Sequence, residues 1–365
     1  MNEEISAWKY FQHRELTEFI LPEQVTSVGD SAFYGCPFLK RVSFPAKMQT
    51  LGKSAFMKCI RLEEVMLPDY VSEIRTEAFS GCLSLKQIHM SHNICEIGDR
   101  AFWHCVNLKN LILPERISHL GKSAFERCVS LDVVRIPEGV TMIENRTFAG
   151  CWGLISAQLP ESLTEIGKWA FSDCFCLEDM NLPKNLTVIG EGAFANCTGL
   201  NGIQIPGHVT EIQKEAFMGC SSLTEIVIPQ HVRKIGRNAF ACCTNLRNVS
   251  IYDTTECMSS ALFQNASEVR LHKGSCAVTV NLSNHAQEEM LLTRFWGEKD
   301  PVRRRIFFGK IRNPEYKIPL AVLMAVTLRE ENIFRHYIRE NFKEVSRFLI
   351  ARHDEENIGR LLSLK

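Results

Sequence analysis

The 365-residue sequence has no net charge: 42 Lys and Arg balance 42 Asp and Glu. So even a balance gives no whole-molecule field for a polyanion, and no nucleic acid is expected as a partner. No apolar run reaches the ~18 residues that a membrane helix needs. The longest, IPLAVLMAVTL at 318–328, suits a buried helix of a soluble protein. The opening MNEEISAWKYFQHRE has no basic n-region, apolar h-region or small-residue cleavage site, so a secretory signal is not expected and a cytoplasmic setting is. Chemical signatures are missing too. There is no GxSxG, P-loop, strand-linked GxGxxG or EF-hand loop, and the eleven histidines form no HExxH. GEGAF at 190–194 is repeat filler with glycine at a turn. No catalytic residue, metal-ligand set or cofactor is therefore expected, and the chain does not read as an enzyme. The fifteen cysteines are odd in number. Without an export signal they read as mainly reduced thiols.

A repeat fills most of the chain. Phenylalanine recurs at 33, 56, 79, 102, 125, 148, 171, 194, 217 and 240, every 23 residues. Three places after each stands a cysteine, from Cys36 to Cys243, and three further on a leucine, from Leu39 to Leu246. Proline recurs at 22, 45, 68, 114, 137, 160, 183, 206 and 229, giving the consensus IGxxAFxxCxxLxxVxLPxxVxx. In one copy Ile189, Ala193 and Cys197 are spaced i, i+4, i+8, beside Phe194 and Leu200. That predicts an apolar stripe on a short helical or 3₁₀ turn. Next, Leu200, Ile203 and Ile205 point in, while Gly202 and Gln204 point out, as in a half-buried strand. Proline closes the strand, because it cannot donate the next ladder hydrogen bond. A unit this small cannot bury a core alone, but stacked copies can, with their strands in a parallel sheet. At about 4.8 Å per coil, ten coils make an arc about 50 Å long.

The pattern decays at both ends. Tyr10, His13, Leu16, Phe19, Leu21 and Pro22 hold the phase of a degenerate first coil. Leu262, Phe263, Ala266 and Val269 hold that of a last one, before it fades at His272 and Gly274. Residues 1–275 are expected to be a solenoid and 284–365 a helical domain. Its candidate helices start at AQEEMLLTRFW (286–296) and VRRRIFFGKI after Asp300-Pro301. IPLAVLMAVTL, ENIFRHYIREN, FKEVSRFLIARH and ENIGRLLSL follow, spaced as antiparallel pairs, ankyrin-like or a small bundle.

The 23-residue motif resembles the bacterial BspA-like leucine-rich repeat family, a type also found in surface antigens of spirochaetes and some protists. It covers roughly residues 10–263. The resemblance implies an α/β repeat fold: a leucine-rich-repeat solenoid with the LxxVxLP strands as a parallel sheet on its concave face, followed here by a small all-α domain. It also implies interaction roles, with adhesion for exported members. The sequence departs from the general leucine-rich pattern because its cysteine precedes the strand. An asparagine-ladder role does not carry over to these thiols.

Thiols stacked at coil spacing make a row rather than a tetrahedron, so zinc fits poorly and the row reads as wall. Off the row lie Cys95, Cys176, Cys242, Cys257 and Cys276, of which Cys257 and Cys276 are the candidate exposed thiols. His89, His92, His104, His208 and His231 occupy exposed coil positions. The candidate binding residues are the outward strand positions Met66, His89, Ile112, Val133, Arg135, Gln158, Asn181, Gln204 and Val227. Most outward positions are polar, so apolar Met66, Ile112, Val133 and Val227 suggest a partner-binding patch. Trp103 and Trp152 are expected on the opposite, convex side. Residues 301–365 carry 14 Lys and Arg against 8 Asp and Glu, leaving 28 against 34 before them. Arg303, Arg304 and Arg305 form the densest basic spot, either a contact for an acidic group or a solvated helix face. The expected function is a non-catalytic scaffold or recognition module binding a protein. The alternatives are a surface adhesin, or a regulatory or enzymatic helical tail targeted by the solenoid.

Overall fold

A computed structural model describes residues 3–252, 254–257, 266–273, 276–281, 304, 308, 310–327, 332–351, 354 and 357–359. Leu262, Phe263, Arg303, Arg305, the candidate helix at 286–296 and the Asp300-Pro301 pair lie outside them, as do the side chains of Cys257 and Cys276.

The repeat folds into a stacked series of coils in which each residue sits on its counterpart 23 positions away. Val133 pairs with Ser156, Val134 with Ala157 and Arg135 with Gln158, all parallel. The pattern fixes this register, because a one-residue slip would turn every apolar side chain to solvent. Isolated bridges from Gln87 through Asn110 to Val133, and from Ser156 through Asp179 to Gly202, carry the same row across coils that lack a full strand. A second parallel row, beyond the single strand expected per unit, comes from the segment after the proline. Glu165 pairs with Val188 and Ile166 with Ile189, and the row runs on through Glu211–Ile212 and Lys234–Ile235. Glycine after the isoleucine lets these coils approach. A Cβ at Gly190 would come within 2.7 Å of the Gly167 carbonyl carbon.

The third side corrects the helical expectation. The i, i+4, i+8 stripe lies on linked turns in which φ is positive just before the alanine and again just before the cysteine, as at Trp169 (57°), Asp173 (58°) and Asn196 (60°). Alternating hand points every second N–H along the stacking axis. Trp169 donates to Glu191 O at 2.8 Å, Phe171 to Ala193 O at 2.8 Å and Asp173 to Ala195 O at 2.7 Å. The intervening amides close local turns, as Ala170 N to Gly167 O and Ser172 N to Trp169 O. A helix would have used its amides within its own turns, so this backbone would not have tied the coils together.

The row of phenylalanines fills the interior behind these turns, with adjacent rings stacked at centroid spacings from 5.0 Å (Phe33–Phe56) to 5.7 Å (Phe56–Phe79). Strands pack at about 4.7–4.9 Å. The ring side is therefore the longer one, and the LxxVxL sheet takes the concave face. Tyr10 extends the ring stack at the first coil, 5.0 Å from Phe33. At the other end, Glu268–Lys273 continues the sheet in parallel with Asn248–Tyr252, and Cys276–Asn281 pairs with it antiparallel. Helix α1 (Pro314–Thr327) packs on that last strand and is followed by α2 (Asn332–Glu340) and α3 (Phe342–Ala351). Phe308 meets Phe334 and Tyr337 edge-on. No helix among the described residues is long and apolar enough to cross a membrane.

Candidate functional site

The ten repeat cysteines are buried, and the structure adds a reason for their identity. Each thiol donates to the phenylalanine carbonyl one coil back: Cys59 to Phe33 O at 3.0 Å, Cys128 to Phe102 O at 3.3 Å, Cys197 to Phe171 O at 3.1 Å. Cys36 reaches Tyr10 O in the same way. The side chain is thus a small hydrophobe that also satisfies a buried carbonyl. Desolvation pushes the thiols at Cys105, Cys151 and Cys243 up to about 12, and those at Cys82, Cys128, Cys174, Cys197 and Cys220 well above their usual value. A nucleophile or ligand needs thiolate, so these groups are held in the inert form. Cys174 is buried while Cys176 is exposed, and Cys243 is buried while Cys242 is exposed, so neither close pair converges. Among the described residues no three His, Cys, Asp or Glu side chains gather as a metal site.

The concave face bears the nine candidate positions in successive coils, all exposed. Ile112 is the barest, at 80% exposure. The apolar members are interleaved with polar ones. Met66 pairs with His89, whose Nε2 lies 3.1 Å from Glu64 Oε1. Arg135 pairs with Gln158 and bridges to Glu115 at 3.2 Å. Ile112 and Val133 meet only diagonally, on neighbouring coils, and Val227 stands apart beside Ser250. Of the basic run, Arg304 is helical and half-buried.

A more continuous apolar surface lies where each coil turns from the ring side toward its concave strand. The position after the cysteine reads Ile60, Leu83, Val106, Val129, Trp152 and Phe175 in six successive coils, then Thr198, Ser221 and Thr244. Trp152 and Phe175 stack at 6.0 Å and 28°, yet remain 52% and 41% exposed. They wall a groove of ≈ 500 Å³ shared with Val106, Val129, Arg127 and Asp173. Arg146 lies 4.0 Å from Glu126 at its margin. Trp152 is thus a rim residue rather than one of the convex back. The signal is present in the sequence as one apolar repeat slot, set in the connection between turn and strand rather than among the outward strand positions.

The sequence pattern of the BspA type leucine rich repeat region matches residues 3–132, 49–178 and 170–280. Those stretches span well over half of the chain. The chain belongs to the BspA-type leucine-rich repeat family. Among solved structures it is similar to a leucine-rich repeat protein from Bacteroides ovatus, at 29% identity and a TM-score of 0.50, over 67% of this chain and 66% of that one. The chain thus spans slightly less than two thirds of that protein's length. It shares the fold of the pneumococcal vaccine antigen PcpA, at 21% identity and a TM-score of 0.50, over 71% and 69% of the two chains. No curated protein sequence matches it. In this BspA-type chain the buried slots keep one residue type through the repeat while the outward slots differ from coil to coil, and the apolar rim lies among the latter.

Proposed function

We propose that this BspA-type solenoid is a recognition module with no reaction of its own, and that it anchors a protein partner on the rim at Trp152 and Phe175. The observation that carries this reading is the stacked, half-exposed pair above the groove. Trp is the residue type that most often anchors interfaces, because one rigid side chain buries a large area at small entropic cost. The concave strands adjoin this rim, so Met66, His89, Ile112, Val133, Arg135, Gln158, Asn181, Gln204 and Val227 form the neighbouring contact area. The reading includes a reducing, cytoplasmic setting, in which the exposed thiols Cys95, Cys176 and Cys242 would stay free. Cell fractionation that placed the chain on the surface would overturn that setting and favour an adhesin, without touching the binding surface.

The test begins with photo-crosslinking groups introduced at 152 and, as a distal control, at 233. The protein captured only from 152 is then titrated against purified variants. Trp152→Ala with Phe175→Ala should weaken binding by about 10–100-fold while the melting curve stays in place. Ile112→Asp should weaken it by a smaller factor. Unchanged affinity in both variants would remove both surfaces.

A further inference from the structure

The loop that follows each concave strand changes character along the solenoid. Its first slot is a carboxylate at Glu23, Asp69, Glu115, Glu138 and Glu161. In the next three coils it reads Lys184, Gly207 and Gln230, and the second slot becomes His208 and then His231. Earlier loops spend their charges on one another. Arg116 donates to Asn93 Oδ1 at 2.8 Å, Glu115 takes Arg135 at 3.2 Å, and Asp69 lies 4.0 Å from His92. Where the sign reverses, the surface opens into a depression of ≈ 590 Å³ lined by Lys184, His208 and His231, with Gln204 on its wall and Ile205 and Pro206 beneath. No carboxylate lines it, and among the described residues the three basic side chains have no hydrogen-bond or ion-pair partner. The carboxylate of Glu211, on the following strand, is held by Lys234 at 2.7 Å. Glu161, one coil before Lys184, does not line the depression.

We propose that this depression binds an oxyanion, a phosphate group in particular. An ammonium, two imidazoles and a side-chain amide converge there. The ammonium and the imidazole N–H groups are donors, and no carboxylate lines the depression to compete for them. The apolar floor lowers the local dielectric and strengthens the attraction. Two neighbouring imidazoles alone would also suit a transition metal, but the Lys184 ammonium repels a cation and no third donor completes a site among the described residues. The site is separate from the aromatic rim and stands or falls without it.

The test is a histidine-detected NMR titration of the full chain, labelled at the imidazole carbons, with inorganic phosphate at constant ionic strength. His208→Gln and His231→Gln assign the two signals and, being at exposed positions, leave the fold intact. Both signals should shift together and saturate as phosphate is added. Lys184→Ala should weaken binding by about threefold or more. A phosphoserine peptide that binds more tightly than inorganic phosphate assigns the site to a phosphorylated partner. Equal affinity assigns it to free oxyanion. Shifts that never saturate, or that are alike in all eleven histidines, overturn the proposal. So does saturation by zinc ion alone with no response to phosphate.

Discussion

Raising the pH above about 9 should unfold the solenoid over a narrow interval, well before a protein without the thiol row would fail. Nine row thiols, Cys59 through Cys243, are held above their usual value of 9.0, with desolvation the largest cause in each. Cys36 is the exception: hydrogen bonding from the Cys59 thiol lowers it. The folded state keeps nine protons that the unfolded state gives up. Their stabilising effect is therefore complete below the unfolded value and is lost as pH climbs toward the folded values. Each thiol contributes a slope of about −1.4 kcal/mol per pH unit, so nine give about −12 kcal/mol per unit. A typical stability of about 5–15 kcal/mol would be exhausted within roughly one unit. Guanidinium melts at about pH 8, 9, 9.5 and 10 under reducing conditions read this directly, before most lysines titrate. Replacing Cys128 and Cys151 by alanine should make the fall shallower. A midpoint that does not move between pH 8 and 10 would mean the thiols are not buried as protonated donors.

Phe125→Ala should cost about 3–5 kcal/mol, the largest effect of any single truncation on the repeat. Phe125 is completely buried, with Phe102 at 5.3 Å and Phe148 at 5.4 Å on either side. Removing the ring leaves a cavity bounded by two other rings that the backbone ladders hold in place. Collapse is hindered because Phe125 N is tied to Thr147 O at 2.9 Å and Phe102 N to Ala124 O at 2.8 Å. In a solenoid the loss is felt by neighbouring coils first, so the unfolding transition should broaden as well as move. Denaturant melts of Phe125→Ala, Phe125→Leu and Trp152→Ala provide the comparison. Leucine should recover part of the loss, and Trp152→Ala should cost less than about 1 kcal/mol. Equal destabilisation by Phe125→Ala and Trp152→Ala would show that the rim tryptophan is packing, not binding surface.

The stacked solenoid was legible because three residue types keep one phase over ten copies, and a strict phase leaves few ways to stack. The inward Ile203 and Ile205 and the outward Gln204 could be assigned from alternation alone, and the strand register follows. The turn side was not legible in the same way. An i, i+4, i+8 stripe such as Ile189, Ala193 and Cys197 is what a helix gives, but one coil is too short for a helix that also serves its neighbours. The deciding fact lies between coils: amides such as Phe194 N bond to the next coil, at Ala216 O. Single-copy periodicity does not contain it. The thiol-to-carbonyl bonds were hidden for the same reason. In the helical region the first well-described helix opens at Pro314, which suits a first helical position, rather than at Ile318, and carries Pro319 inside it. The rim escaped notice because Ile60 through Phe175 occupy a slot that looks like connection when each copy is read alone. Its meaning depends on six copies agreeing.

The repeat's in-phase residues build the wall, and the recognition proposed for the outward slots rests on that wall being inert. The most direct measurement is thiol labelling of the native protein, mapped by peptide mass spectrometry. Fifteen cysteines are available, of which Cys95, Cys176 and Cys242 are exposed among those described. The ten row thiols from Cys36 to Cys243 should stay unlabelled in buffer and react together once denaturant unfolds the coils. Rapid labelling of several row thiols in the folded protein would contradict the structure's buried row and return the cysteines to the list of candidate reactive groups.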